Sequence, residues 1–333
     1  MALILVATAA CQRPDPVATP APTSPRPVAR PDVAPTLPTQ ADLRAARAER
    51  NRAANRAAIR AAATTSTASI SQRDFYARME TRLRADGRLR RDRAPADAPF
   101  TADDLARNFI RIALFDEYSR DGDRLIAQAR PAPLRRWADP VRIRLEFGPS
   151  SDAAERSAWR AQIGAFAARL SRVTGHPVSM TADAGNFNVL ILTDDERRAI
   201  GPRLADLIPG IPAQDVAMLA DLPPDISCSV FAYSRGAQAT YSYAVALIRA
   251  ELPPLLRTSC IHEELAQGMG LANDSPAARP SIFNDDEEFA LLTRHDEFLL
   301  KILYDPRLRP GMSEAEAAPI VRKIARELLG DAA

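Results

Sequence analysis

The stretch Ser259-Cys260-Ile261-His262-Glu263-Glu264-Leu265-Ala266-Gln267-Gly268-Met269-Gly270-Leu271-Ala272-Asn273-Asp274 constrains this chain more than any other. Pro253-Pro254 introduces it and two glycines close it, so it reads as a helix followed by a sharp turn. On that helix Glu263 and Gln267 stand at i and i+4 and share a face, with Glu264 beside them. Past the turn come Asn273 and Asp274. Such a face needs polar partners, a ligand or water.

The same stretch resembles the active-site helix of zinc peptidases of the metzincin type, whose pattern is H-E-x-x-H-x-x-G-x-x-H. There the two helical histidines hold the metal, the glutamate activates its water, and the glycine turns the chain so that a third ligand returns. In the literal register His262 and Glu263 match, but Ala266 and Ala272 fall at the other ligand positions, leaving one nitrogen donor. One residue further along, Glu264 takes the place of the base and Gly270 that of the turn glycine. Glu263, Gln267 and Asn273 then take the ligand positions. Carboxylate and amide oxygens suit harder ions better than zinc.

Ser281-Ile282-Phe283-Asn284 lies about where metzincins place their methionine turn, and it has no methionine. A helix ending Leu303-Tyr304-Asp305-Pro306 follows. With Phe100 to Gly148 upstream, these segments resemble the bacterial family of domain of unknown function 2927, over roughly residues 100 to 312. The resemblance implies a zincin-like fold and brings no activity with it. The fold class expected is α+β: a zincin-like mixed sheet, a long backing helix, an active-site-type helix and a disordered N-terminal tail.

Only three histidines are present, His176, His262 and His295, and their spacing matches no three-histidine zinc site. His176 precedes a strand and reads as a surface or turn residue; His295 heads a late helix and reads as an N-terminal surface residue, with a packed histidine the alternative for each. His262, next to the two glutamates, is the one to test first. No cofactor is assured; a divalent metal, zinc or a harder ion, is the one the pattern admits.

Of the three cysteines, Cys11 ends Ala7-Thr8-Ala9-Ala10-Cys11 after an apolar start, which resembles a bacterial lipobox. The expected fate is cleavage before Cys11 and lipidation of it, putting the protein on the periplasmic face of the bacterial envelope. Export would bring Cys228 and Cys260 into an oxidising compartment, where the pair reads as a disulfide. The alternative is two buried thiols in a cytosolic protein.

Residues 1–11 thus read as signal and lipobox. Residues 12–40 form a spacer, in which positions 14 to 38 hold nine of the chain's 28 prolines, a composition that builds no core. Residues 41–70 form a basic helical tether rich in Ala and Arg, and residues 71–330 the zincin-like globular domain. The 44 basic residues nearly balance 42 acidic ones and no recognition motif appears, so nucleic acid is not an expected partner.

Along the domain, Thr101 and Asp104 form a capping-box start. Val141 to Phe147 alternates as a strand, and Asp152 to Val173 is a helix with Trp159, Ile163, Phe166 and Leu170 on one face. Pro177 to Thr181 and Phe187 to Thr193 are strands, the second nearly all apolar and so central. Asp194 caps a short helix, Ile208 to Pro224 is irregular, and Cys228 to Tyr233 and Thr240 to Ile248 are a strand pair. Tyr241, Tyr243 and Val245 alternate with small residues, so one aromatic face of the strand before the helix could line a cleft, or pack in the core.

The functional expectation is a lipid-anchored binding or structural module for an unknown protein or peptide ligand. The alternative is a metal-dependent hydrolase with Glu264 as general base and His262, Glu263, Gln267, Asn273 or Asp274 as ligands, with His295 as a further ligand from the later helix.

Overall fold

The computed structural model describes residues 67–330 apart from 122, 123, 209 and 285. The lipobox with Cys11, the spacer and residues 41–66 of the tether lie outside the described residues.

The first described helix, α1 (Thr67–Ala85), is tied down by Tyr76. The ring is fully buried, and its hydroxyl lies 2.8 Å from the carbonyl oxygen of Pro224 and 3.1 Å from that of Ile226. Helix α2 (Ala102–Ala113) opens with the expected capping box between Thr101 and Asp104. An antiparallel hairpin follows, β1 (Phe115–Asp121) with β2 (Arg124–Pro131).

Then come β3 (Arg136–Trp137), β4 (Val141–Phe147), the long helix α3 (Ala153–Thr174), β5 (Val178–Met180) and β6 (Phe187–Leu192). Short helices α4 (Asp194–Arg198), α5 (Gly201–Leu207) and α6 (Ala213–Ala220) lead to β7 (Cys228–Ser234) and β8 (Thr240–Arg249). The motif helix α7 (Pro254–Gln267), a 3₁₀ turn at Ile282–Asn284, α8 (Arg294–Leu303) and α9 (Glu314–Leu329) complete the order.

The main sheet runs β3-β8-β6-β4-β5, with β7 added to β8. All these pairings are parallel except β7 with β8, so the fold mixes helices with a mostly parallel sheet carrying one antiparallel edge. Strand β6 is buried along all six residues and sits between β8 and β4, as its apolar run predicts. Two cores follow from the period-two alternation. Phe187, Val189, Ile191, Ala244, Ala246 and Ile248 face the core shared with Trp159, Ile163 and Phe166 of α3 and Leu256, Cys260 and Leu265 of α7. Leu190, Leu192, Val245 and Leu247 face Leu204, Ile208 and Leu219 on the opposite side.

Three expectations are corrected, and for the aromatics of the strand before the motif helix the alternative of core packing holds. Thr193, not Asp194, caps α4: its side chain accepts from the Glu196 amide, while Asp194 is the first helical residue. The stretch from Ile208 to Pro224 contains helix α6. Strand β8, the one leading into α7, is an interior strand, and the edge belongs to β7. Its aromatics do not share a face, because the register shifts between Tyr233 and Ser234. Tyr241 therefore packs in the α7-side core with its ring 6.0 Å from that of Trp137, while Tyr243 packs on the other core.

Helix α7 has Pro253 at its N-cap and no side-chain cap of its own. The carboxylate of Glu80, on α1, supplies one: its Oε2 accepts from the amides of Leu255 and Leu256 at 3.0 and 3.1 Å. A negative group there satisfies two orphan donors and opposes the positive end of the helix dipole. Glu80→Ala is expected to cost about 1 kcal/mol, read as a shift in the urea midpoint, and Glu80→Gln less, since its oxygen still accepts.

Candidate functional site

The polar face of α7 is reached from the turn that follows it. Gly270 adopts φ +127°, and a Cβ there would stand 2.4 Å from the carbonyl oxygen of Arg135. Both the left-handed backbone and the close approach exclude a side chain. The indole of Trp137 donates to the carbonyl of Gly268 at 2.8 Å and fixes the helix end. Gly270→Ala should cost about 2–3 kcal/mol, measured as a fall in denaturation midpoint, and should loosen the 271–274 segment.

Beyond this turn, Asn273 is buried against the end of α2, where its side-chain amide donates to the carbonyl of Arg111 at 2.8 Å. Its backbone amide donates to the Ile112 carbonyl. The residue that returns to the helix face is Asp274, whose Oδ1 accepts from Gln267 Nε2 at 3.2 Å. Gln267 and Asp274 are thus brought together, and Asn273 is anchored on α2.

The histidines occupy three separate surroundings. His262 stacks on Phe166 with ring centroids 4.1 Å apart and planes within 11°. Its Nδ1 accepts from the Leu292 amide at 3.1 Å, which makes the ring the Nε2–H tautomer. Burial, then repulsion by Arg169, pushes its pKa down to about 3. His295 is fully buried, which corrects the expectation of a surface residue. Its Nε2 lies 3.0 Å from the Asn108 amide nitrogen, and Phe100 meets its ring edge-on. The cause is α2, packed across the start of α8, a contact 187 residues apart in sequence. His176 is half-buried, its Nε2 2.9 Å from the carbonyl of Asp139.

The turn at Ile282–Asn284 packs against α7. It is held by Asp296, which accepts from the Ser281 hydroxyl and the Ile282 amide.

Cys228 and Cys260 form the expected disulfide, joining the start of β7 to α7. One turn beyond Cys260, Glu264 is buried and Glu263 half-buried. A sulfur of Cys228 and one carboxylate oxygen each from Glu263 and Glu264 lie within 4.8 Å of one another. Among the described residues this is the one group of three or more His, Cys, Asp and Glu that meets metal-ligand spacing, and it contains no histidine. Its sulfur is committed to the disulfide. The zinc set of a metzincin therefore does not fit here: Gln267 is bound to Asp274, Asn273 to α2 and His262 to Leu292. Sequence reasoning missed Cys228 as a neighbour of the glutamates. The signal was the i, i+3 and i+4 spacing of Cys260, Glu263 and Glu264 combined with the cystine itself.

Residues 102–323, two thirds of the chain, match the model of the family described as protein of unknown function (DUF2927), and the chain belongs to that family. The match extends into α9, past residue 312 where the sequence resemblance ends. No curated protein and no solved structure matches the chain.

Proposed function

We propose that this is an exported, lipid-anchored envelope protein whose zincin-like domain serves as a binding or structural module without zinc-peptidase chemistry. The observation that carries this reading is that three residues of the ligand frame are engaged within the protein: Gln267 by Asp274, Asn273 by α2, and His262 by Leu292. The order of strand, long helix, further strands and motif helix is that of the N-terminal half of zincins, and it supports the kinship. The Cys228–Cys260 bond supports export, because disulfides persist in oxidising compartments. A lipid on Cys11 and the proline-rich spacer would hold the domain off the periplasmic face of the membrane. Its ligand is an unidentified protein or peptide.

The test uses the full chain with its disulfide intact. Elemental analysis is expected to find well under one metal per chain, and peptidase assays no activity above that of Glu264→Gln. One equivalent of zinc or manganese that disappears in Glu263→Ala would overturn the inert-module reading. Activity lost in Glu264→Gln would replace it with a hydrolase using that base. For the anchor, Cys11→Ser should move the protein from the membrane fraction to the soluble one; unchanged fractionation would remove the lipid.

A further inference from the structure

We infer that reduction of the Cys228–Cys260 disulfide converts its surroundings into a site for a thiophilic divalent cation, zinc or cadmium. The site would be built from the two freed thiolates with Glu263 and Glu264. This does not rest on the zincin-like reading, and it uses neither Gln267 nor Asn273. Its basis is the convergence of the edge strand and α7. Cys228 opens β7, while Cys260, Glu263 and Glu264 fall within a little more than one turn of α7. The Cys228 sulfur and the two carboxylates already lie within 4.8 Å. Ligand atoms around a tetrahedral zinc stand roughly 3.3–3.8 Å apart, given bonds of about 2.0 Å to oxygen and 2.3 Å to sulfur. Those three atoms must draw together, and the Cys260 sulfur, which is not one of them, must turn toward the carboxylates, once the sulfurs are no longer bonded to each other. The Ser227 hydroxyl, 3.4 Å from Cys260 Sγ and 3.6 Å from Cys228 Sγ, marks the same spot as polar.

Redox state decides whether the site exists. A disulfide sulfur carries no charge and is a poor ligand, so the oxidised protein offers only two carboxylates. A dithiol reductant delivers two electrons and two protons. The Cys228–Cys260 bond breaks, both cysteines become thiols, and the reductant's two thiols become a disulfide. Binding of the cation then displaces one proton from each thiol, because the thiolate is the ligand. Mixed sulfur and oxygen donors favour zinc and cadmium over calcium or magnesium. The cation in turn favours the reduced state, so metal availability and redox poise become linked at this joint.

The experiment titrates cadmium into the full chain, once oxidised and once after reduction by a phosphine and anaerobic desalting. The reduced protein is expected to take one equivalent and show the thiolate-to-cadmium charge-transfer band in the ultraviolet; the oxidised protein is expected to show neither. Glu263→Gln and Glu264→Gln should each weaken binding by about tenfold or more, while both thiols still react with a disulfide reagent. Circular dichroism runs alongside. If reduction unfolds the chain, cadmium should restore the helical signal in the wild type and fail to do so in Glu263→Gln. Equal binding by the oxidised protein, no binding by the reduced one, or an affinity indifferent to both glutamine variants would overturn the proposal. The last result would mean capture by two thiols of an unfolded chain.

Discussion

Asp194→Ala is expected to destabilise the protein by about 3–5 kcal/mol, the cost of leaving buried charges without their partner. Arg197 and Arg249 are both fully buried, and each donates to Asp194 Oδ1, at 2.7 and 3.0 Å. Burial alone would raise the Asp194 carboxyl, but the hydrogen bonds from Arg197, Arg249 and Arg198 outweigh it and hold the pKa at about 2. Both buried arginines also donate to backbone carbonyls. Arg249 reaches the carbonyls of Ile226, Leu222 and Pro223, and Arg197 those of Leu219 and Ala220. These carbonyls lie at the end of α6 and in the segment that delivers the chain to Cys228. One carboxylate thus holds two cations that position the start of the edge strand. Asp194→Asn, which keeps an acceptor, should lose less than the alanine variant. Replacing all three residues with apolar ones of similar size should recover much of the loss, because desolvation then disappears with the attraction. Urea midpoints of the three variants check the order; an alanine variant within about 0.5 kcal/mol of wild type would mean that the network is not coupled in this way.

This network also shows where sequence legibility stops. Strands β4 and β6 were readable because each carries its burial in its own residues: Val141 and Ile143 alternate with arginines, and β6 is apolar throughout. Helix α3 was readable for the same reason, with Asp152 as its cap and Trp159, Ile163, Phe166 and Leu170 inward. Asp194 is legible only as a cap for a short helix, and its ties to the buried Arg197 and Arg249 are not, since nothing local indicates that β8 ends beneath α4. The role of Glu80 exists only because Pro253 leaves α7 uncapped 173 residues later. The β1–β2 hairpin escaped because charged residues interrupt any alternation in Phe115-Asp116-Glu117-Tyr118-Ser119-Arg120-Asp121. Helix α9 had signals that went unused: Ser313 and Glu316 form a capping box, and Ala317, Val321 and Ile324 keep helical spacing.

The polar face of α7 was legible as a pattern but not as a set of contacts. The shifted register located Gly270 at the turn, where φ +127° places it. It put Asn273 in the returning position, yet the side chain that meets Gln267 is the next one, Asp274. Asn273 is held away by two bonds to the end of α2, an element that the α7 stretch carries no information about. The sulfur beside both glutamates, that of Cys228, comes from the start of β7, 32 residues before Cys260.

Stability should fall steeply between pH 6.5 and 4, and His262 should be the main cause. In the unfolded chain this histidine binds a proton near pH 6.5. In the fold its pKa is about 3, lowered first by burial and then by Arg169, and its Nδ1 lone pair is occupied by the Leu292 amide. Above pH 6.5 the ring is neutral in both states and contributes no pH dependence. Below it the unfolded state holds one more proton than the native state, so the native state loses ground until the folded ring titrates near pH 3. The loss is about 1.4 kcal/mol at pH 5.5 and about 3 kcal/mol at pH 4.5. His176, also lowered by burial, acts in the same direction from a half-buried position. Glu251, raised by burial, acts in the opposite direction near its own pKa. Asp194 enters only below about pH 4, where its depressed pKa begins to cost stability. His262→Asn separates these contributions, because its side-chain oxygen can stand in for Nδ1 and accept from Leu292 without titrating. That variant should be less stable than wild type at pH 7.5, having lost the stack on Phe166, yet its urea midpoint should fall far less on going to pH 4.5. Equal slopes for the two proteins would mean that His262 is protonated in the fold and that its contact with Leu292 is not what holds it neutral.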